Sequence, residues 1–201
     1  IAPPNVYPGS SGQNGITPTF NFVMKYEKAD GTPQTWNLNG GSDLQAKMAE
    51  LDPRFHQTIA YNMSYWNHEH PEIQLYQGGK HVNTAYGGFW LHKLYPDAID
   101  DAKNWQYIPN STLFGLAEAY LNYAEALNEA QGPVQEAYNA VNIIRKRSGL
   151  PVLSPGLSKE EFRERVRHER AIELAFDNFR FWDIRRWLIA EDEGVMQGNI
   201  A

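Results

Sequence analysis

Between Leu113 and Phe176 the apolar residues recur at spacings of three and four, and glycine and proline cut that pattern at fixed places. That periodicity constrains the chain more than any other feature, because only amphipathic helices put such residues on one face. Leu116, Ala117, Tyr120, Leu121, Ala124 and Leu127 predict one helix, which Gly132-Pro133 must terminate. Val134, Ala137, Tyr138, Val141 and Ile144 predict a second, closed by Gly149 with Pro151 just beyond. Ser158-Lys159-Glu160-Glu161 reads as a capping box opening a third helix, expected to run to about Phe176 with Phe162, Val166, Ile172 and Phe176 facing inward. Asp177-Asn178 then predicts a break before a shorter helix over 179–190, and residues 191–201 read as a polar tail.

Small residues at Ala124 and Ala137, with Tyr120 between the helices, give the first pair a tetratricopeptide-like (TPR-like) character. The interval is one residue longer than the usual repeat, and no second repeat of comparable quality follows.

Residues 1–112 differ. The first 42 are rich in Gly, Pro, Asn, Ser and Thr and should be loop-dominated, except that Phe20–Tyr26 and Gln34–Leu38 flank Asp30-Gly31 as a β-hairpin would. Ser42 reads as the cap of a short helix, 43–51, ended by Pro53. From Arg54 to about Trp105 no helical period persists, so short extended segments and loops are expected. The fold class that results is mainly α: TPR-like helix pairs with an irregular loop-rich lobe and a small β-hairpin, in one domain.

A net charge of −6 argues against nucleic acid as a partner, since phosphate-backbone affinity needs clustered Lys and Arg. Residues 145–187 do hold 11 basic against 7 acidic side chains, but the signs alternate at helical spacing, which reads as an ion-paired face. The absence of Cys excludes disulfides and thiolate chemistry. His68-Glu69-His70 lacks the i, i+4 spacing of a helical metal site and reads as loop lining, with His56, His81, His92 and His168 scattered. Asp97, Asp100 and Asp101 read as polar surface, with calcium binding or a two-carboxylate glycoside hydrolase as alternatives. No cofactor is implied. Arg180-Phe181-Trp182-Asp183-Ile184-Arg185-Arg186-Trp187 reads as helix cement, with Asp183 and Glu173 as expected arginine partners, and an anion or sugar site as the alternative.

Four stretches in order carry a family resemblance: Leu116–Ala126, Val141–Pro151, Glu169–Phe176 and Arg180–Trp187, preceded by Lys25-Tyr26-Glu27, Asp52-Pro53-Arg54-Phe55 and Thr58–Asn62. Together they resemble the C-terminal part of SusD/RagB proteins. Gly115, His92 and Asp177-Asn178-Phe179 depart from that family's usual residues. The resemblance implies a non-catalytic, lipid-anchored protein on the outer face of the outer membrane, with its anchor upstream of these residues. It implies capture of oligosaccharides or similar nutrients for a SusC-like TonB-dependent transporter. Exposed loop aromatics would then stack on sugar C–H faces, and Trp36, Tyr65 and Trp66 are the candidates; packing between lobe and helices is the plain alternative. A TPR-type protein-interaction module is the competing reading, and a glycoside hydrolase the third.

Overall fold

The structure, a computed structural model, describes residues 17–39, 41–82, 87–93, 95, 97, 103, 113–192, 195 and 196. The described residues contain seven helices and one two-stranded sheet, the mainly helical class expected. Two compact units divide the chain: one of residues 1–24, 55–111 and 198–201, the other of 25–54 and 112–197. Residues 25–54 thus fold with the helices rather than with the other loops. Asp100 and Asp101, and most of the tail from 191, lie outside the described residues.

The helical unit is built on α4 (Leu116–Gln131), α5 (Gln135–Arg147) and α6 (Lys159–Glu173), with α4 packed against both of the others. Gly132 ends α4 at φ +86°, a conformation only glycine takes without strain, and its N–H donates to Asn128 O at 2.9 Å. Gly149, at φ +79°, closes α5 in a Schellman motif: Gly149 N–H donates to Lys146 O (3.1 Å) and Leu150 N–H to Arg145 O (2.9 Å). The capping box opening α6 is present in both directions, Ser158 N–H donating to Glu161 and Glu161 N–H to Ser158 Oγ. Ala124 and Ala137 are fully buried in a core with Tyr138, Val141, Phe162 and Val166, where their small side chains allow close helix approach.

The third helix stops three residues earlier than its periodicity implies. Phe176 and Asn178 both adopt left-handed backbone, at φ +63° and +66°, which no continuous α-helix accommodates. Chain direction resets there into α7 (Phe179–Arg186), which in turn ends before Ala190. Leu188 takes φ +58° and reproduces the Schellman pattern, with Ile189 N–H donating to Ile184 O at 3.0 Å.

The β expectation needs relocation. Phe20–Val23 forms a helical turn, α1, instead of a strand, because Thr19 caps it by accepting from Phe22 N–H (3.3 Å). The Asp30-Gly31 turn is real, with Gly31 at φ +79° and Thr32 held to Asp30 Oδ1, but its arms reduce to a single bridge, Glu27 to Pro33, while Lys28 bridges to Leu51 outside the hairpin. The short helix α2 is Leu44–Ala49, with Asp43 at the N-cap and its carboxylate on Lys47 at 2.7 Å, so Ser42 is not the cap. Pro53 starts a helix, α3 (Pro53–Thr58), as proline at a first helical position can; Asp52 Oδ1 accepts from Arg54 N–H at 2.9 Å.

In the other unit, β1 (Ile59–Tyr61) pairs antiparallel with β2 (Phe89–Leu91). All six residues are buried, and Trp66, Ile73 and Trp90 complete a small aromatic core with Ala60.

Candidate functional site

Two kinds of polar cluster stand out, and chemistry separates them. The helical unit contains a buried ion-pair network. Glu169 accepts from Arg54 (2.6 Å) and from Arg145 (3.0 Å); Arg54 also clasps Asp52 (2.7 Å) and reaches Glu173 (3.1 Å), and Arg145 reaches Glu27 (3.0 Å). Burial alone would raise the Glu27 carboxyl, but Arg165 and Arg145 outweigh it and hold it below its ordinary value. Burial likewise opposes the charge on Arg54, and Glu169 and Asp52 more than restore it. A second cluster ties α4, α6 and α7 together: Asp183 takes both arms of Arg170 at 3.0 Å and Nε of Arg186 at 2.8 Å, while Glu125 accepts from Arg186 and from Trp187 Nε1, each at 2.7 Å. Within the arginine and tryptophan run, Asp183, Arg186 and Trp187 therefore cement the helices, with Asp183 among the arginine partners as expected, whereas Phe181 and Trp182 are exposed and Arg185 lies over the Phe181 ring. Glu173 pairs instead with Arg147 and Arg54. In both clusters the buried charges are matched by one another.

The loop that follows β1, residues 62–82, is different: its backbone is ordered, it buries Trp66, Asn67, Ile73 and His81, and it leaves Met63, Tyr65 and Tyr76 exposed. Met63 N–H donates to Ile73 O (2.6 Å) and Ile73 N–H to Ser64 O (2.9 Å), folding the segment back on itself. Asn62 Oδ1 accepts from Leu75 N–H (2.9 Å), and Asn67 Oδ1 from His70 N–H (2.7 Å). Farther along, His81 N–H donates to Gln74 O at 3.0 Å, Gln74 N–H donates to His81 Nδ1 at 2.9 Å, and His81 Nε2 lies 3.1 Å from His70 Nδ1. Gly79 passes so close to Gln74 that a Cβ there would sit 2.5 Å from Gln74 O. Gly79→Ala should accordingly cost about 1–3 kcal/mol by forcing the segment apart, measured as a lower denaturation midpoint; an unchanged midpoint would contradict this close approach.

Tyr65 stands on this support with 45% of its surface exposed. Its hydroxyl donates to Asp97 Oδ1, and His68 Nε2 lies 3.2 Å from the other carboxylate oxygen. Burial and then the Asp97 carboxylate push the Tyr65 phenol up to about 12, so it remains an O–H donor at any physiological pH. The result is a flat apolar ring with a carboxylate and an imidazole at its edge, able to stack on one face of a ligand and exchange hydrogen bonds with its rim.

The adjacent Trp66 does not share that position. It is fully buried, its ring lies 5.7 Å from Trp90 and 5.2 Å from Tyr95, and its Nε1–H donates to Leu91 O at 3.0 Å. It therefore offers no face to a ligand, correcting the expectation that it would stack on one; its indole anchors the loop. Trp36, half-buried, belongs to the other unit, in the segment whose Gln34 side chain bonds to Lys47 O and Glu50. His68 and Asp97 escaped the sequence reading as partners of Tyr65. They are 29 residues apart on loops without periodicity, and nothing local marks their meeting. Among the described residues no group of three or more metal-ligating side chains converges, and no helix is long and apolar enough to cross a membrane.

The described residues thus form a mainly helical fold with a TPR-like helix pair and an aromatic-bearing loop. The SusD family model matches residues 2–200, and the chain belongs to the SusD family. It is 35% identical over 182 residues to the SusD-like protein P38 of Formosa agariphila, covering 83% of this chain and 34% of that protein. A second SusD-like protein of that organism, P25, is 30% identical over 125 residues, which are 58% of this chain and 24% of that relative. Among solved structures, a SusD-like protein from Bacteroides fragilis superposes with a TM-score of 0.75 at 32% identity, over 88% of this chain and 37% of that one. A SusD-like carbohydrate-binding protein from the same organism gives 0.67 at 28% identity, over 94% and 39%. The chain thus spans little more than a third, at most, of these relatives' length.

Proposed function

We propose that this protein binds oligosaccharides without cleaving them, and that the whole protein does so at the outer face of the outer membrane, held by a lipid anchor, to supply a SusC-like TonB-dependent transporter. The observation that carries the reading is the exposed Tyr65 ring with its hydroxyl fixed on Asp97 and His68 beside it. A pyranose has C–H faces that stack on such a ring and hydroxyls that accept from imidazole and donate to carboxylate. Family membership and the carbohydrate-binding neighbour from Bacteroides fragilis support the same ligand class.

The displaced carboxyls of the helical unit do not have the electrostatics of a general acid. Glycoside hydrolysis needs a carboxyl whose proton affinity is raised. Where a described carboxyl is displaced here it is displaced downward, as for Glu27, Glu125 and Glu173, each by arginine outweighing burial.

Tyr65 is the proposed principal contact and Trp36 a second one on the helical unit. Tyr65→Ala should weaken retention in affinity gels cast with soluble polysaccharides by about tenfold or more, the loss of about 1.4 kcal/mol typical of an exposed aromatic anchor, with an unchanged melting temperature. Trp36→Ala should act in the same direction, and Trp66→Ala should lower melting instead. Retention unaffected by Tyr65→Ala and Trp36→Ala, or release of product on long incubation with a retained polysaccharide, would refute the reading. Capture of a TonB-dependent transporter by the full-length protein tests the delivery step separately.

A further inference from the structure

The two histidines beneath the Tyr65 loop form a directional hydrogen-bond chain whose polarity is set by the backbone. A peptide N–H can only donate, so the 2.9 Å bond from Gln74 N–H obliges His81 Nδ1 to present its lone pair. Neutral His81 must then carry its hydrogen on Nε2, which donates across 3.1 Å to His70 Nδ1. His70 in turn is the Nε2–H tautomer. The rings meet edge-on at 4.9 Å, and His81 lies 5.1 Å and His70 6.2 Å from the ring of Trp90, with Trp66 5.8 Å from His70.

Neither imidazole can take a second proton and keep this arrangement. A proton on His81 Nδ1 would face the Gln74 N–H, donor against donor. One on His70 Nδ1 would face the His81 Nε2–H in the same way. A metal ion bridging the two nearest nitrogens fits no better, because His81 would have to bind it as an imidazolate while still accepting from Gln74.

We propose that the His81–His70 pair is a proton-operated latch, holding residues 70–81 of the loop closed while both rings are neutral and releasing them when either is protonated. The influences on His81 agree in sign. Burial comes first, then the His70 ring and the Lys80 ammonium, and together they hold His81 below the ordinary histidine value. Trp66 and Trp90 do not titrate, and Tyr95, which packs on Trp66, is pushed up to about 12 by burial and stays neutral. The open loop therefore binds protons more readily than the closed one. Closure is complete above the ordinary histidine value and is progressively lost as pH falls through it. The latch stands whether or not the loop above it binds glycan.

The test is amide hydrogen exchange at Gln74 in the intact chain, corrected for intrinsic rate, at about pH 7.5 and about pH 5.5 on either side of the histidine value near 6.5. One proton taken up on opening makes exchange faster in acid by up to about tenfold. His81→Asn keeps an acceptor in place for Gln74 N–H but cannot titrate, and should abolish the acid effect. His68→Gln, a surface control, should leave it intact. An acid effect that persists in His81→Asn, or none in the unaltered protein, would overturn the latch. Should His81→Asn fail to fold, imidazole nitrogen shifts of the unaltered protein decide: at about pH 7.5 the latch requires the Nε2–H tautomer of His81, and the Nδ1–H tautomer or a charged ring would refute it.

Discussion

Glu169→Ala is expected to destabilise the protein by about 3–5 kcal/mol, a large part of the stability of any single domain. The carboxylate is 1% exposed and accepts from two arginines that are themselves buried. Its removal leaves Arg54 and Arg145 each short of a counter-charge in a place water does not reach, and cutting one member from such a network costs far more than its members contribute together. Arg163→Ala provides the contrast. Its pair with Glu129 lies at the surface, so the loss should stay below about 1 kcal/mol. Urea denaturation of both variants checks the difference. Equal effects would mean that the buried network is either wet or strained.

Phe162→Ala should be comparably severe, at about 3–5 kcal/mol, for a different reason. Phe162 is fully enclosed between α4, α5 and α6 and meets Tyr138 edge-on with centroids 4.7 Å apart. The alanine variant loses both the transfer free energy of the ring and the contacts around the space it vacates. Phe162→Leu, which refills most of that volume, should recover well over half of the loss in a denaturation midpoint. If it does not, the edge-on ring geometry matters more than filling the space.

The helices were legible because their signals are local. The capping box, the Schellman glycine Gly149 and the apolar period each act within one or two turns, and apart from the exposed Leu116 and the early end of α6 they are found where the residues place them. Helix ends set by non-glycine left-handed residues were not. Phe176 and Leu188 are bulky residues that rarely take that conformation, and no glycine marks either end in the sequence. The sheet was illegible for another reason: β1 and β2 are three residues each and separated by a long irregular stretch, so no alternation could announce them. Thr19 overrode the β preference of Phe20, Phe22 and Val23 through a single side-chain acceptor.

The candidate site was half legible. Tyr65 and Trp66 look alike in a polar loop, and what separates them is the company of Trp90 and Tyr95, which the fold alone supplies. The family resemblance implied the ligand class proposed for Tyr65, while the pairing of His70 with His81 had no sequence signature at all.

The Schellman turn at the end of α5 has one more effect. By doubling the chain back through Gly149 and Leu150, it delivers the carbonyl of Pro151 to Arg145 Nε at 2.8 Å, one turn inside the helix it has just ended. The same guanidinium holds Glu169 and Glu27. Insertions or deletions between residues 146 and 150 would disconnect a stop signal and an electrostatic hub in one stroke, so this short span is where the chain should tolerate variation in length least.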